Sequence, residues 1–347
     1  MNCSAIGLAM SGGVDSTAAA VLLKRHHPVD GFFMDIGQSD GAEQFSRCQA
    51  IGKALAIEIH YLDLREAFRE RVLNYFTTTY LSGKTPNPCV VCNQHIKFGL
   101  LREAILAAGY EVMATGHYAR IHRFDDGYGL IKGIDTSKDQ SYFLSRIALP
   151  LLASVRLPMG NLTKAEAYRI TAEHGLTDCF GKQSQDVCFL ADSTVADFIS
   201  ARTEGAMQPG PISTTTGVEI GRHQGLYQYT IGQRRGLNLP DHSPWYVIRI
   251  DSLHNRLIVG KEDELYTQTV QCRSPYWLVD RVPKPGTVHT AKLRSTHGGA
   301  EARIDVVDEQ MMTLYFTTPQ RAVCPGQFCV LYKGERVIGS AEIESAW

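Results

Sequence analysis

Ala9-Met10-Ser11-Gly12-Gly13-Val14-Asp15-Ser16 is the stretch whose reading decides the fold. An apolar run from Ala5 to Met10 leads into it with the character of a buried strand, and the small-residue run Thr17 to Lys24 continues it as a helix. Gly12 and Gly13 lack Cβ atoms, so the backbone can turn tightly there and converge its N–H groups on an anion. The helix start adds partial positive charge at the same point, and Ser16 can cap the helix or bond a phosphate oxygen. There is no Gly-Lys-Ser/Thr ending, which excludes the Walker type of phosphate loop. An ordinary strand–helix turn would need neither the two serines nor the aspartate.

Working outward, the chain of 347 residues is long enough for two or three domains with a sizeable core. The net charge of −1 provides no global field to recruit nucleic acid or a membrane, so any RNA contact must come from local patches. No apolar run approaches the ~18 residues of a membrane span. The short N-terminal apolar run has no basic segment ahead of it, so no secretion signal is expected. Nine unevenly spaced cysteines fit a reducing compartment better than a disulfide scaffold, and the expected location is cytoplasmic.

Past the first helix, Val29 to Met34 and Ile57 to Leu62 read as further short strands. Helical patterns with Phe45, Cys48, Ile51 and Leu55, and then with Phe68, Val72 and Phe76, follow them. This alternation predicts an α/β fold, with an N-terminal doubly wound parallel sheet covered by helices on both faces. Ligands of such sheets bind at the carboxyl ends of the strands. Met34 ends the second strand, where an adenine would lie, and is equally well read as a core methionine.

The alternation breaks at Ser82-Gly83-Lys84-Thr85-Pro86-Asn87-Pro88-Cys89-Val90-Val91-Cys92-Asn93, a loop by its glycine and prolines. A helix with Ile96, Leu100, Leu101 and Ile105 is expected to start just after Asn93. That puts Cys92 at a helix N-terminus, where the dipole lowers a thiol pKa. The spacing leaves three readings open: an activated thiolate, half of a zinc site with Cys89, or a structural cysteine.

Tyr110 to Thr115 reads as a fourth strand ending in Gly116-His117-Tyr118. A hairpin over Tyr118 to Phe124 and Tyr128 to Lys132 follows it. Lys138-Asp139-Gln140-Ser141-Tyr142-Phe143 mixes a cation, a carboxylate, an amide and aromatics. That mix suits phosphate and base contacts, and it also suits a plain helix start. Thr163 and Glu166 form a capping box. Cys188, 96 residues after Cys92, is flanked by Val187 and Phe189 and reads by default as buried and inert.

Composition shifts near residue 193, where a short helix (Thr194 to Arg202) gives way to Pro209-Gly210-Pro211. Strands are expected at Gln228 to Ile231, Trp245 to Ile250 and Arg256 to Val259, with a basic turn at Gly232-Gln233-Arg234-Arg235-Gly236. From about 265 onward some six short strands alternate with period two, and a small β-barrel closes them. The expected division is a catalytic domain over 1–192, a small β-rich central domain over 193–262 and a C-terminal β-barrel over 263–347.

Ser-Gly-Gly-Val-Asp-Ser resembles the pyrophosphate loop (PP-loop) of ATP pyrophosphatases, which split ATP to AMP and pyrophosphate. The whole chain resembles the bacterial tRNA-specific 2-thiouridylases of the MnmA family. The matching segments, in the family's order, are 10–16, Gly-Lys-Thr-Pro-Asn-Pro-x-x-x-Cys-Asn (83–93), Ile-Lys-Phe-Gly (96–99), Ala-Thr-Gly-His-Tyr-Ala-Arg (114–120), Lys-Asp-Gln-Ser-Tyr-Phe-Leu (138–144), Gln-Asp-Val-Cys-Phe (185–189), Tyr-Thr-Ile-Gly-Gln-Arg-Arg-Gly-Leu (229–237) and Pro-Trp-Tyr-Val (244–247). The resemblance implies replacement of the C2 oxygen of a wobble uridine by sulfur, with ATP and Mg²⁺. Cys188 would carry a persulfide delivered by a sulfur-donor protein (a relay protein or cysteine desulfurase), and Cys92 would be its partner nucleophile, able to form a disulfide with it. Ala9, Met10, Ser11, Gly12, Gly13, Val14, Asp15, Ser16, Met34 and Gly116 match nucleotide-binding positions. Asn87, Pro88 and Cys89 match the target-base loop. His117, Lys138, Asp139, Gln140, Arg294, Ser295 and Gln327 match tRNA contacts.

Cys89 stands where many members carry Asp, so Cys89, Cys92 and Cys188 could instead ligate a [4Fe–4S] cluster with one iron open. The segment after Met34 is also shorter than the family pattern and lacks its usual Trp and acidic residues. Another AMP-forming ligase, or a tRNA-binding protein without catalysis, would share parts of this pattern but needs no paired cysteines or no intact loop, respectively.

Overall fold

The computed structural model describes residues 4–176, 180, 187–190, 193–203, 205, 208–240 and 242–347. Of the segments singled out above, Gln185 and Asp186 lie outside the described residues, as does Lys182 to Ser184.

Strands β1 (Ile6–Ala9), β2 (Val29–Asp35), β3 (Ile59–Asp63) and β4 (Val112–Ala114) form a parallel sheet, completed by β7 (Val155–Arg156) in the order β3-β2-β1-β4-β7. Successive strand residues point to opposite faces. Phe32 therefore enters one core with Phe68, Val72, Ile96, Leu101 and Ile105, while Phe33 enters the other with Ala18, Ala19, Cys48 and Ile51. The first face is covered by α3 (65–81) and α4 (88–107), and the second by α1 (Val14–Lys24), α2 (Gly41–Leu55) and α5 (Lys164–Glu173). Each of these large apolar side chains contributes about 1.5–3 kcal/mol on full burial, so both faces are firmly held.

The hairpin strands β5 (Ala119–Phe124) and β6 (Gly127–Lys132) leave the parallel sheet and join another. Four strands form a small central sheet in the order β10-β11-β8-β9: β8 (Gly210–Thr214), β9 (Glu219–His223), β10 (Tyr246–Asp251) and β11 (Arg256–Gly260). The strand expected at Gln228 to Ile231 is not formed. Leu226–Gln228 is a tight helical turn, and the Thr230 N–H turns to the Gln233 side chain at 3.1 Å. Single backbone bonds, Gly232 N–H to Val247 O and Val247 N–H to Gln233 O, tie this segment to β10 in place of a ladder. A further helix, α6 (Val195–Arg202), packs Ile199 against Phe76, Leu190 and Tyr227.

Strands β12 (Tyr266–Trp277), β13 (Val288–Lys292), β14 (Ala300–Val307), β15 (Met311–Arg321), β16 (Phe328–Lys333) and β17 (Arg336–Ala346) close into a six-strand barrel, because β12 pairs with both β15 and β17. Closure removes free edges. The β5–β6 hairpin extends this sheet beside β17, with Ile131 opposite Arg336, so a segment early in sequence is built onto the barrel. Phe328, Val330 and Tyr332 of the barrel pack directly into the core beneath α4, which fixes the barrel against the parallel sheet.

Candidate active site

The phosphate loop adopts the geometry its glycines permit. Gly12 has φ of +72°, a left-handed conformation, and Gly13 is the N-cap of α1. Ser16 Oγ accepts from the Ser11 N–H at 3.3 Å and donates to Gly13 O at 3.1 Å, so that serine braces the turn. Asp15 is not free: Lys164 Nζ lies 2.7 and 2.9 Å from its two oxygens, and the Tyr118 hydroxyl donates to it at 2.7 Å. Burial and this carboxylate push the Tyr118 hydroxyl pKa up.

Gly116, just past β4, meets the loop from the other side. A Cβ there would lie 2.9 Å from Ser16 N and 3.0 Å from the Asp15 carbonyl carbon, so only glycine lets the two segments touch. His117 is buried, with Nδ1 2.7 Å from Thr115 Oγ1. Burial first, and the Lys97 charge second, hold its pKa well below the usual value, so the ring stays neutral. Between these parts lies a cavity of about 200 Å³, lined among others by Ala9, Met10, Ser11, Ser16, Met34, Gln38, Lys97, Gly116, His117 and Gln140. It opens at the carboxyl end of the parallel strands, the expected place. Two larger clefts of about 530 Å³ lie at the junctions with the barrel, away from the phosphate loop.

The cysteine segment differs from expectation. The helix begins at Pro88, not after Asn93: Asn87 caps it, its Oδ1 accepting from the Val90 N–H at 3.3 Å, and proline takes the first turn, where its missing N–H costs nothing. Cys89 is therefore the cysteine nearer the helix start, and Cys92 lies a turn further in and is buried. Burial outweighs the helix dipole there. It pushes the Cys92 thiol up to about 12, and the Cys188 and Cys89 sulfurs push in the same direction while Lys97 opposes them. Cys89 is raised likewise, by burial.

Cys188 is exposed, whereas its apolar neighbours suggested a buried thiol. Surrounding protein, and then the Cys89 sulfur, push its thiol up to about 11. Phe189 anchors this segment, its ring 5.8 Å from Phe68, 5.0 Å from Phe76 and 5.2 Å from Phe198. Gln38, which lines this cavity, donates from Nε2 to the Cys188 carbonyl at 2.8 Å. Two cysteines 96 residues apart in sequence thus approach each other beside this cavity.

Among the described residues no three His, Cys, Asp or Glu side chains are grouped as a metal site. Cys89, Cys92 and Cys188 are near one another, with Cys92 buried, Cys89 partly buried and Cys188 exposed.

The other sequence-derived positions fall into two groups. Asn87 Nδ2 donates to Gln327 Oε1 at 3.2 Å, and Gln327 Nε2 donates to Thr85 O and Pro86 O at 3.1 and 2.9 Å, so the barrel grips the 83–93 loop beside Pro88 and Cys89. Lys84 adds a pair with Glu344 at 2.8 Å. Gln140 accepts from the Tyr118 N–H at 2.9 Å and lies at the cavity, with Lys138 exposed beside it. Asp139 faces inward instead, accepting from Gly133 N, Ser141 N and Ser141 Oγ. Arg294 and Ser295 lie apart from the cavity lining, in the turn after β13, where Arg294 Nη1 reaches Arg321 O at 3.5 Å.

Four residues of the site were not assigned from sequence. Lys97 and Tyr118 sit inside quoted motifs, and Lys164 follows the capping residue Thr163, so each carried a local signal. Gln38 carried none, because only the fold brings it to Cys188.

Three family models match the chain: tRNA methyl transferase HUP domain over residues 4–192, tRNA methyl transferase PRC-barrel domain over 196–261, and Aminomethyltransferase beta-barrel domain over 267–343. The chain is 44% identical to the tRNA-specific 2-thiouridylase MnmA of Desulfotalea psychrophila over 97% of this chain and 98% of that protein. It is 38% identical to that of Desulfosudis oleivorans over 98% and 95%, and 37% identical to that of Magnetococcus marinus over 97% and 98%.

Proposed function

This chain belongs to the tRNA-specific 2-thiouridylase MnmA family, and we propose that it replaces the C2 oxygen of a tRNA wobble uridine with sulfur, consuming ATP and a protein-borne persulfide. The observation that carries this reading is Gln38, which lines the nucleotide cavity and holds the Cys188 backbone, so that a sulfur carrier stands at the mouth of an ATP site.

The C2 oxygen of uridine is a poor leaving group. Its attack on the α-phosphate of ATP forms the O2–phosphorus bond and expels pyrophosphate, converting that oxygen into part of AMP. The first-turn N–H groups of α1, Val14 to Ser16, would receive the phosphates, with Ser16 Oγ bracing the turn by accepting from the Ser11 N–H. Asp15, the only carboxylate among the described cavity-lining residues, is neutralised by Lys164, so Mg²⁺ enters as part of MgATP.

A donor protein leaves its outer sulfur on Cys188. That sulfur attacks C2, and AMP departs with the oxygen. Cys92 then attacks Cys188 Sγ; the Cys92–Cys188 disulfide forms, the bond to the transferred sulfur breaks, and its electron pair stays on the 2-thiouridine. A cellular dithiol returns the disulfide to two thiols. The target base must leave the anticodon stack, and the loop at Asn87, Pro88 and Cys89, gripped by Gln327, borders its path with His117, Lys138 and Gln140. In this reading residues 1–192 do the chemistry, while 193–262 and 263–347, including Arg294 and Ser295, bear on the tRNA.

Methyl transfer, named in two of the family-model descriptions, calls for neither a phosphate loop nor paired cysteines. No helix among the described residues is long and apolar enough to cross a membrane. The test is incubation of the protein with unmodified tRNA, MgATP and a persulfide donor. Formation of 2-thiouridine and AMP in equal amounts supports the reading; AMP without thiouridine, or neither, rejects it.

A further inference from the structure

Lys97 is the only lysine or arginine among the described residues that line the nucleotide cavity. It is half-buried and makes no hydrogen bond or ion pair with a described residue. Partial burial of an ammonium without a partner is unfavourable, and an arriving anion removes that cost. The nearby Lys164 cannot serve, because its ammonium is held by both oxygens of Asp15. With Asp15 paired to Lys164, the charge left over among the described cavity-lining residues is that of Lys97.

Its position on α4 has a local cause. Residues 93–101 form wide turns of the π type, beginning directly after Cys92. In a regular α-helix the fifth residue onward is about 140° around the axis. Widening the turn to i→i+5 bonding brings that residue back over the same side, so Lys97 shares a flank with Cys92. The side chain thus stands where the nucleotide cavity meets the cysteines. His117 on the cavity wall and the thiols of Cys89, Cys92 and Cys188 all respond to its charge.

We propose that Lys97 is a catalytic residue for the reaction proposed above: its ammonium contacts the α-phosphate of bound ATP, holds the charge that develops as pyrophosphate leaves, and stays on the phosphate of AMP while sulfur displaces it. A cation aimed at developing charge in a partly dry site is worth far more to the transition state than to the ground state. Lys97→Met removes the charge at similar length, and Lys97→Arg keeps it.

The experiment measures AMP release with unmodified tRNA, together with calorimetric binding of AMP, for the wild type and both variants. Lys97→Met is expected to lower kcat for AMP release about 100-fold, with KM for ATP changed less than threefold, and to weaken AMP about three- to tenfold. Lys97→Arg is expected to recover at least a tenth of the rate. Wild-type kcat and AMP affinity in Lys97→Met, or a loss in Lys97→Met that Lys97→Arg shares in full, overturns the assignment. Failure of the parent reading is seen separately, as a wild type that makes no 2-thiouridine. The AMP binding comparison still decides the role of Lys97 in that case.

Discussion

Two groups of cysteines in this molecule look alike by one measure and differ by every other. Cys272 and Cys329 lie in the barrel core beside Val270, Leu314 and Ile343, fully buried, with their thiols in mutual contact. Cys89, Cys92 and Cys188 lie near one another behind the cavity-lining residues Lys97 and Gln38, where one is exposed and all three feel the charge of Lys97. The pKa of Cys272 is raised by its Cys329 contact and burial, and those of the other three chiefly by burial. A raised thiol pKa therefore does not separate packing from chemistry. Access, a neighbouring cation and an adjoining substrate cavity do.

The largest expected contrast is between serine or alanine variants of the two groups. Cys188→Ser should reduce 2-thiouridine formation about a thousandfold or more while AMP release stays within about tenfold, because the carrier sulfur is gone but the phosphate loop is intact. Cys329→Ala should leave both rates within about twofold. Equal losses of thiolation in the two variants would erase the distinction between the groups.

Next in size is Gly116→Ala. Its Cβ would press on Ser16 N and the Asp15 carbonyl carbon, displacing the loop from the phosphates. A drop of about 100-fold in kcat/KM for ATP is expected. A change below threefold would mean that ATP binds somewhere other than this cavity.

Smaller again is a pH effect. Because the folded Cys188 thiol sits near 11, above its ordinary value, only a small fraction is thiolate at pH 8. Alkylation of Cys188 by iodoacetamide should accelerate about tenfold per pH unit from 8 to 10. A rate that levels off by pH 8 would show a thiol lowered below its ordinary value and would contradict the shift assigned to Cys188. The sign for stability is the same. Cys92 stays protonated in the fold up to about 12 but ionises near its ordinary value when unfolded, so its contribution is present below that value and lost as pH rises toward 12.

The smallest effect belongs to the barrel. Cys329→Ala should lower stability by about 1–2 kcal/mol through the cavity it leaves, read as a reduced urea midpoint with unchanged slope.

What the sequence disclosed, and what it withheld, follows from the range of the forces involved. Strand β1, the glycine turn and α1 are encoded within twenty residues, so Ser11 to Ser16 could be read directly. The barrel was legible as period-two alternation after about residue 265. The start of the helix over 88–107 is hidden in the sequence because two prolines signal a loop, whereas Pro88 fills the first helical turn behind the Asn87 cap. The direction of the Cys92 shift was missed for a related reason: a dipole is a local property, but burial under Ile96, Phe68 and the barrel residue Phe328 is tertiary. The Gln38–Cys188 contact and the pairing of β6 with β17 span 150 residues and more, and no local pattern announces them.

The central claim is that ATP cleavage and sulfur transfer occur at one place, served by Cys92 and Cys188. Its most direct test follows the two cysteines by mass spectrometry during a single turnover with persulfide-loaded protein, MgATP and unmodified tRNA. The account predicts a Cys92–Cys188 disulfide appearing in step with 2-thiouridine, and only when ATP is present. Thiouridine formed at full yield with both cysteines still reduced, or formed without ATP, would contradict it.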